Sequence, residues 1–142
     1  MLLRFGILAA ALVLSVLAGV SCTPSASTIK PAFDESLLQK TWWHSYQESN
    51  PAGDVYRPEG YTLQPLRGRT GMTFGSDGKY TYIGIAPADG PLPFNGTWRW
   101  AGERVLRLSV EGKSYQGATW QAEEYDLEII SLTSDMLVAK RR

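Results

Sequence analysis

"MTFGSDGKYTYIG", residues 72–84, reads as two short strands folded over a tight turn. Met72 and Phe74 alternate with Thr73 before the turn, and Tyr80 and Tyr82 alternate with Thr81 after it. A type I turn through Ser76-Asp77 leads into Gly78 at the left-handed position, which glycine adopts without a Cβ penalty. That register sets Phe74 opposite Tyr80 and Met72 opposite Tyr82. The signal is architectural and carries no reactive group.

The same period of two recurs downstream, the mark of strands with one buried face. In "FNGTWRW" (94–100), Phe94, Gly96, Trp98 and Trp100 share one face, and Asn95, Thr97 and Arg99 share the other. After "AGER", Leu106, Leu108 and Val110 oppose Val105, Arg107 and Ser109. In "EYDLEIISL", Tyr125, Leu127 and Ile129 oppose Asp126 and Glu128; "TSD" then turns the chain into "MLVAK". Strands are predicted near 41–47, 69–75, 79–86, 94–100, 104–111, 122–131 and 136–141, with an eighth near 61–65 or 114–120. The expected fold class is all-β: an up-and-down antiparallel meander of about eight strands, closed into a barrel that leaves no edge exposed. At that strand number the interior holds side chains, or side chains and one small ligand. "DESLLQK" (34–40) alone suggests a turn or two of helix. Residues 48–71, with Pro51, Pro58 and Pro65, read as a long loop of the kind that is often functional or mobile, "GYTLQPL" within it adding a short edge strand.

The N-terminus has a different character. Arg4 and an apolar run over residues 5–19 are a secretory signal, since a membrane-spanning helix needs about twenty apolar residues. The run ends at "GVSC", and Cys22 is the single cysteine of the chain. An exported protein with one cysteine forms no internal disulfide; lipidation turns that thiol into a thioether carrying diacylglycerol. The stretch resembles the lipobox of bacterial lipoproteins through Val20 and Ser21, and departs from it at Gly19, where leucine is usual. The alternative is a plain secreted protein cut near "SAS" (25–27). The expected division is signal peptide 1–21, a lipid-anchored tether 22–35 with Cys22 as the lipidated residue (acyl chains of the palmitate type), and a barrel domain 36–142. Thr23 is not the aspartate that retains some lipoproteins at an inner membrane. In a host with two membranes the expected location is therefore the outer one, facing the periplasm.

Past Cys22, 13 Lys and Arg stand against 14 Asp and Glu, Arg4 being the one charge before it. A near-neutral surface argues for no nucleic-acid partner. The terminal "KRR" reads as a solvated chain end.

In order, "LLQKTWWHSY", "MTFGSDGKYTY", "GTWRW…LRLSV" and "YDLEIISLTSDMLVAK" resemble the bacterial lipocalin-like domains of small exported lipoproteins, over about residues 36–141. The resemblance implies a calycin-type barrel with a short helix closing the end near Trp42, and no assigned activity. The glycine usual before the entry Trp is Lys40 here. The basic residue that packs on that Trp in lipocalins has no closely matching position, Lys140 and Arg141 being the nearest.

His44 is the sole histidine, and no metalloprotease, redox, nucleophile-elbow or phosphate-loop motif is present. One histidine cannot lead a zinc cluster. No catalytic residue, metal or cofactor is expected. Glu123, Glu124, Asp126 and Glu128 read as solvated. The lumen candidates are Trp42, His44, Tyr46, Tyr80, Tyr82, Trp98, Trp100 and Tyr125, whose rings and polar handles suit either a pocket or a filled core. Two functions follow: a non-enzymatic envelope protein binding a small apolar or aromatic ligand, or a structural protein with a filled barrel that meets a protein partner through the 48–71 loop. A lumen enzyme using His44 and a tyrosine is a third, less favoured reading.

Overall fold

The computed structural model describes residues 29–142; the signal segment and Cys22 lie outside them. The elements are α1 (Glu35–Leu38), β1 (Thr41–His44), β2 (Asp54–Pro58), β3 (Gly71–Phe74), β4 (Lys79–Ile85), β5 (Pro91–Trp100), β6 (Val105–Val110), β7 (Lys113–Tyr115), β8 (Ala118–Trp120), β9 (Glu123–Leu132) and β10 (Leu137–Arg141). Eight strands close an antiparallel barrel in the order β1-β2-β10-β9-β6-β5-β4-β3, and β7-β8 form a separate ribbon.

The 72–84 hairpin has the register its sequence implies, with Met72 paired to Tyr82 and Phe74 to Tyr80. Its turn closes through Gly75 N–H donating to Lys79 O at 2.9 Å, with Gly78 at φ +78. The meander runs from β3 through β6, β9 and β10. It departs from a simple up-and-down order at the start, where β1 sits between β2 and β3. This explains the long link before β3. Because β2 and β3 are both antiparallel to β1, the chain leaving β2 beside Thr41 must return along the length of β1 to enter β3 beside His44. Residues 59–70 make that return.

The eighth barrel strand is therefore β2, not 61–65 or 114–120 as the sequence suggests. "GYTLQPL" contains no strand, and 113–120 forms the β7-β8 ribbon. β2 escapes a reading by periodicity because it is five residues long, ends in Pro58, and has both partners remote or reversed in sequence order. The ribbon reverses through Gln116 and Gly117, both at positive φ, as a type I′ turn does. On β9, consecutive β10 residues Val138 and Ala139 pair with Ser131 and Ile129. Ile130 is the extra residue of a bulge, and the inward alternation of Tyr125, Leu127 and Ile129 resumes one step late at Leu132.

One end of the barrel is packed shut. Leu38, Trp42, Leu106, Leu108, Ile129 and Leu137 there are fully or almost fully shielded from solvent. Three indoles tie this floor together. Trp42 Nε1 donates to Leu38 O (3.0 Å), Trp98 Nε1 to Gly75 O (2.9 Å), and Trp100 Nε1 to Glu35 Oε2 (2.8 Å). Each ring thus buries apolar area while its one polar atom finds a partner. Asp34 caps α1 by accepting from Ser36 N–H at 2.9 Å, and the Ser36 hydroxyl, helped by that N–H, holds its carboxyl below the usual range. Docking begins before residue 36: Ala32 N–H donates to Glu103 O at 2.7 Å, and Phe33 packs against the core. The cation over Trp42 comes from Lys40, 5.2 Å from the ring centroid, while Arg141 lies over Tyr125 at 4.1 Å, at the opposite end. No basic residue of the last strand plays the part seen in lipocalins.

Candidate functional site: the open half of the barrel

The half of the barrel away from α1 is not filled. A cavity of about 460 Å³ opens there, within the range of about 300–1,000 Å³ usual for small-molecule pockets. Strand alternation builds its wall. Met72 of β3, Phe94 of β5, Val110 of β6 and Leu127 of β9 supply apolar surface, each inward on its strand. Tyr56, Tyr82 and Tyr125 supply phenols. The β7-β8 ribbon brings Trp120 across the mouth, its ring edge-on to Phe94 at 5.4 Å, and Lys113 Nζ fastens the ribbon to Pro93 O at 2.7 Å.

The boundary between packed and open halves is a tyrosine pair. Tyr80 is buried, and its hydroxyl lies 3.1 Å from that of Tyr125, which faces the cavity. Burial raises the pKa of Tyr56, Tyr80, Tyr82 and Tyr125, so all four phenols remain protonated near neutral pH. The Tyr56 and Tyr82 hydroxyls make no hydrogen bond among the described residues and are free to meet a ligand. At the rim, Arg141 pairs with Glu123 and lies over Tyr125, and Asp54 stands at the start of β2.

Of the eight lumen candidates, Tyr82 and Tyr125 line the cavity. Trp42, Tyr80, Trp98 and Trp100 belong to the packed end, where they close the barrel instead of surrounding an open space. Tyr46 is exposed, its hydroxyl 3.1 Å from Thr70 Oγ1. His44 is the direct β1 partner of Tyr56 and so shares its inward side, but it does not line the cavity. Its ring stacks on Tyr56 at 5.0 Å and touches Tyr46 at 4.0 Å.

The surroundings of His44 fix its tautomer. Ser49 Oγ gives its one hydrogen to Ser45 O (2.9 Å) and accepts from Val55 N–H (2.9 Å). Its contact with His44 Nε2 at 3.0 Å must then be donated by the imidazole. Asp54 Oδ1 lies 3.6 Å from the same nitrogen. A Ser-His-Asp relay needs the carboxylate on one ring nitrogen and an accepting second nitrogen at the hydroxyl. Here both groups meet the same N–H, and the serine hydrogen is committed elsewhere. Burial lowers the His44 pKa, outweighing the opposite pull of Asp54, so the ring is neutral near pH 7.

Among the lining residues that sequence patterning does not place here are Tyr56, Asp54, Trp120, Glu123 and Arg141. Tyr56 and Asp54 lie on the unrecognised β2, and Trp120 on the 114–120 stretch, which the sequence offers as a barrel strand and which folds instead as the ribbon. Glu123 and Arg141 read as solvated charges, and strand pairing brings them to one rim. Comparison of the chain with protein-family models, with curated proteins and with solved structures found no match.

Proposed function

We propose that the protein is a non-enzymatic lipoprotein of the cell envelope whose lipocalin-like barrel binds a small apolar or aromatic ligand in its open half. The observation that carries this reading is the cavity of about 460 Å³, whose lining is as polar as it is apolar: inward aliphatic and aromatic side chains, unpartnered phenols and a charged rim. A small-molecule site needs enclosing apolar surface and oriented polar groups, and both meet here. The lipocalin-like assignment draws on strand number, antiparallel closure, the short helix at the packed end and the motif order, although the β2-β1-β3 order is not that of a plain meander. A filled barrel acting only as an envelope scaffold is less well supported, because the large rings that could fill the lumen are concentrated at one end.

The neutral fluorescent probe N-phenyl-1-naphthylamine is expected to bind with enhanced emission. Val110→Phe places a ring in the cavity and should weaken that binding by about tenfold or more, about 1.4 kcal/mol or greater, with near-UV circular dichroism unchanged. Absence of probe binding by the wild type would remove the basis for a ligand-binding barrel. The envelope assignment rests on the N-terminal sequence. Cys22→Ser is expected to move the protein from the membrane fraction to the soluble one and to abolish incorporation of labelled palmitate; unchanged fractionation with no label on the wild type would overturn the anchor.

A further inference from the structure

We infer that the ligand class is a hydrophobic amine in its ammonium form, bound with its cationic end between Asp54 and the aromatic walls of the cavity. This rests on the ligand-binding reading above and follows from the charges that line the space. Three charged side chains do so: Asp54, Glu123 and Arg141. Arg141 is already matched, being paired with Glu123 and seated over the Tyr125 ring at 4.1 Å. Asp54 has no such partner among the described residues. The nearest cationic candidate is His44, 3.6 Å away, which burial holds neutral. Two further cations near the mouth keep their charge but do not line the cavity: Arg69 donates to His44 O and Gln64 O, and Lys113 donates to Pro93 O with its Nζ over the Phe94 ring at 5.8 Å. The lining therefore carries one uncompensated negative charge.

That charge, half exposed at the rim, borders an aromatic-lined space. Asp54 and Tyr56 are two apart on β2 and share its inward side, and Tyr82, Phe94, Trp120 and Tyr125 complete the surround. Ring faces attract a cation within about 6 Å, and the attraction grows where water is displaced. A carboxylate or phosphate ligand would instead face Asp54 and Glu123, with no unpaired cation among the described lining residues to receive it. A neutral ligand could donate a hydrogen bond to Asp54 but would leave its charge uncompensated. The ammonium form satisfies the carboxylate and the rings together, while the apolar body reaches Met72, Val110 and Leu127.

Three ligands with one skeleton test this by calorimetry at pH 7: 2-naphthylmethylamine, 2-naphthylmethanol and 2-naphthoate. The amine is expected to bind about tenfold more tightly than the alcohol, and the carboxylate most weakly. Asp54→Asn should erase the preference for the amine over the alcohol while leaving the alcohol's affinity in place. Equal or tighter binding of 2-naphthoate, or an amine preference that survives Asp54→Asn, overturns the inference. If N-phenyl-1-naphthylamine binds and the amine shows no advantage, the ligand class falls and the binding cavity stands. If the probe and all three ligands fail to bind, both fall.

Discussion

Trp98→Ala is expected to lower the stability of the domain by about 3–5 kcal/mol, the usual cost of emptying a buried large aromatic site. That is a large share of the roughly 5–15 kcal/mol that holds a domain folded. The ring is 7% exposed, meets Phe74 edge-on at 5.7 Å and Trp100 at 6.4 Å, and donates to Gly75 O in the turn of the 72–84 hairpin. Alanine would leave a cavity at the packed end and strip that carbonyl of its indole partner. Arg99, the next residue, points to solvent on the other face of β5, and Arg99→Ala should stay within about 0.5 kcal/mol of the wild type. Urea denaturation of both variants decides the matter. Coincident midpoints would mean that the inward and outward faces of β5 are misassigned.

This contrast was legible in the sequence, because period two tells which face of a strand is buried. It does not tell how far along the barrel axis a residue lies. Trp98 and Phe94 share a face of β5, yet Trp98 packs the floor and Phe94 lines the cavity. Their depth depends on which turns gather at which end. The 75–78, 101–104 and 133–136 turns join α1 at the packed end, so inward residues near those turns fill it and inward residues far from them remain beside open space. That rule places Trp100, Tyr80 and Trp42 in the floor, and Tyr82, Tyr125 and Val110 on the wall.

β2 was not legible, for a different reason. Its pairing with β10 joins residues 54–56 to 137–139, and its place beside β1 requires the 59–70 return, so no local pattern announces it. With β2 hidden, Tyr56 and Asp54 had no position, and the rim charges had nothing to be measured against. Arg141 illustrates the same limit. As part of "KRR" it resembles any solvated terminus, and the pairing of β10 with β9 turns it into a wall residue facing Glu123.

The final expectation concerns Gly96, which shares the inward face with Phe94 and Trp98. A Cβ built there would lie 1.8 Å from Ser109 O and 2.9 Å from the Ser109 carbonyl carbon. Both atoms are backbone of β6, held in place by the β5–β6 pairing of Gly96 with Val110 and Thr97 with Ser109. No side-chain rotation relieves such a contact; the two strands must part. Glycine at an interior strand position commonly marks this close approach of another backbone, or a tight bend at a barrel corner. Gly96→Ala is therefore expected to cost about 3 kcal/mol or more, at or beyond the upper end of ordinary overpacking, and to open the barrel between its packed and empty halves. Gly90 is the matched control. A Cβ there meets nothing within 4 Å, and Gly90→Ala should leave stability unchanged or raise it by up to about 1 kcal/mol through the unfolded chain. Thermal and urea unfolding of the two alanine variants, with hydrogen exchange at the β5–β6 amides, measures the difference. A Gly96→Ala protein as stable as the wild type, with those amides still protected, would show that β5 does not press against β6 at this point.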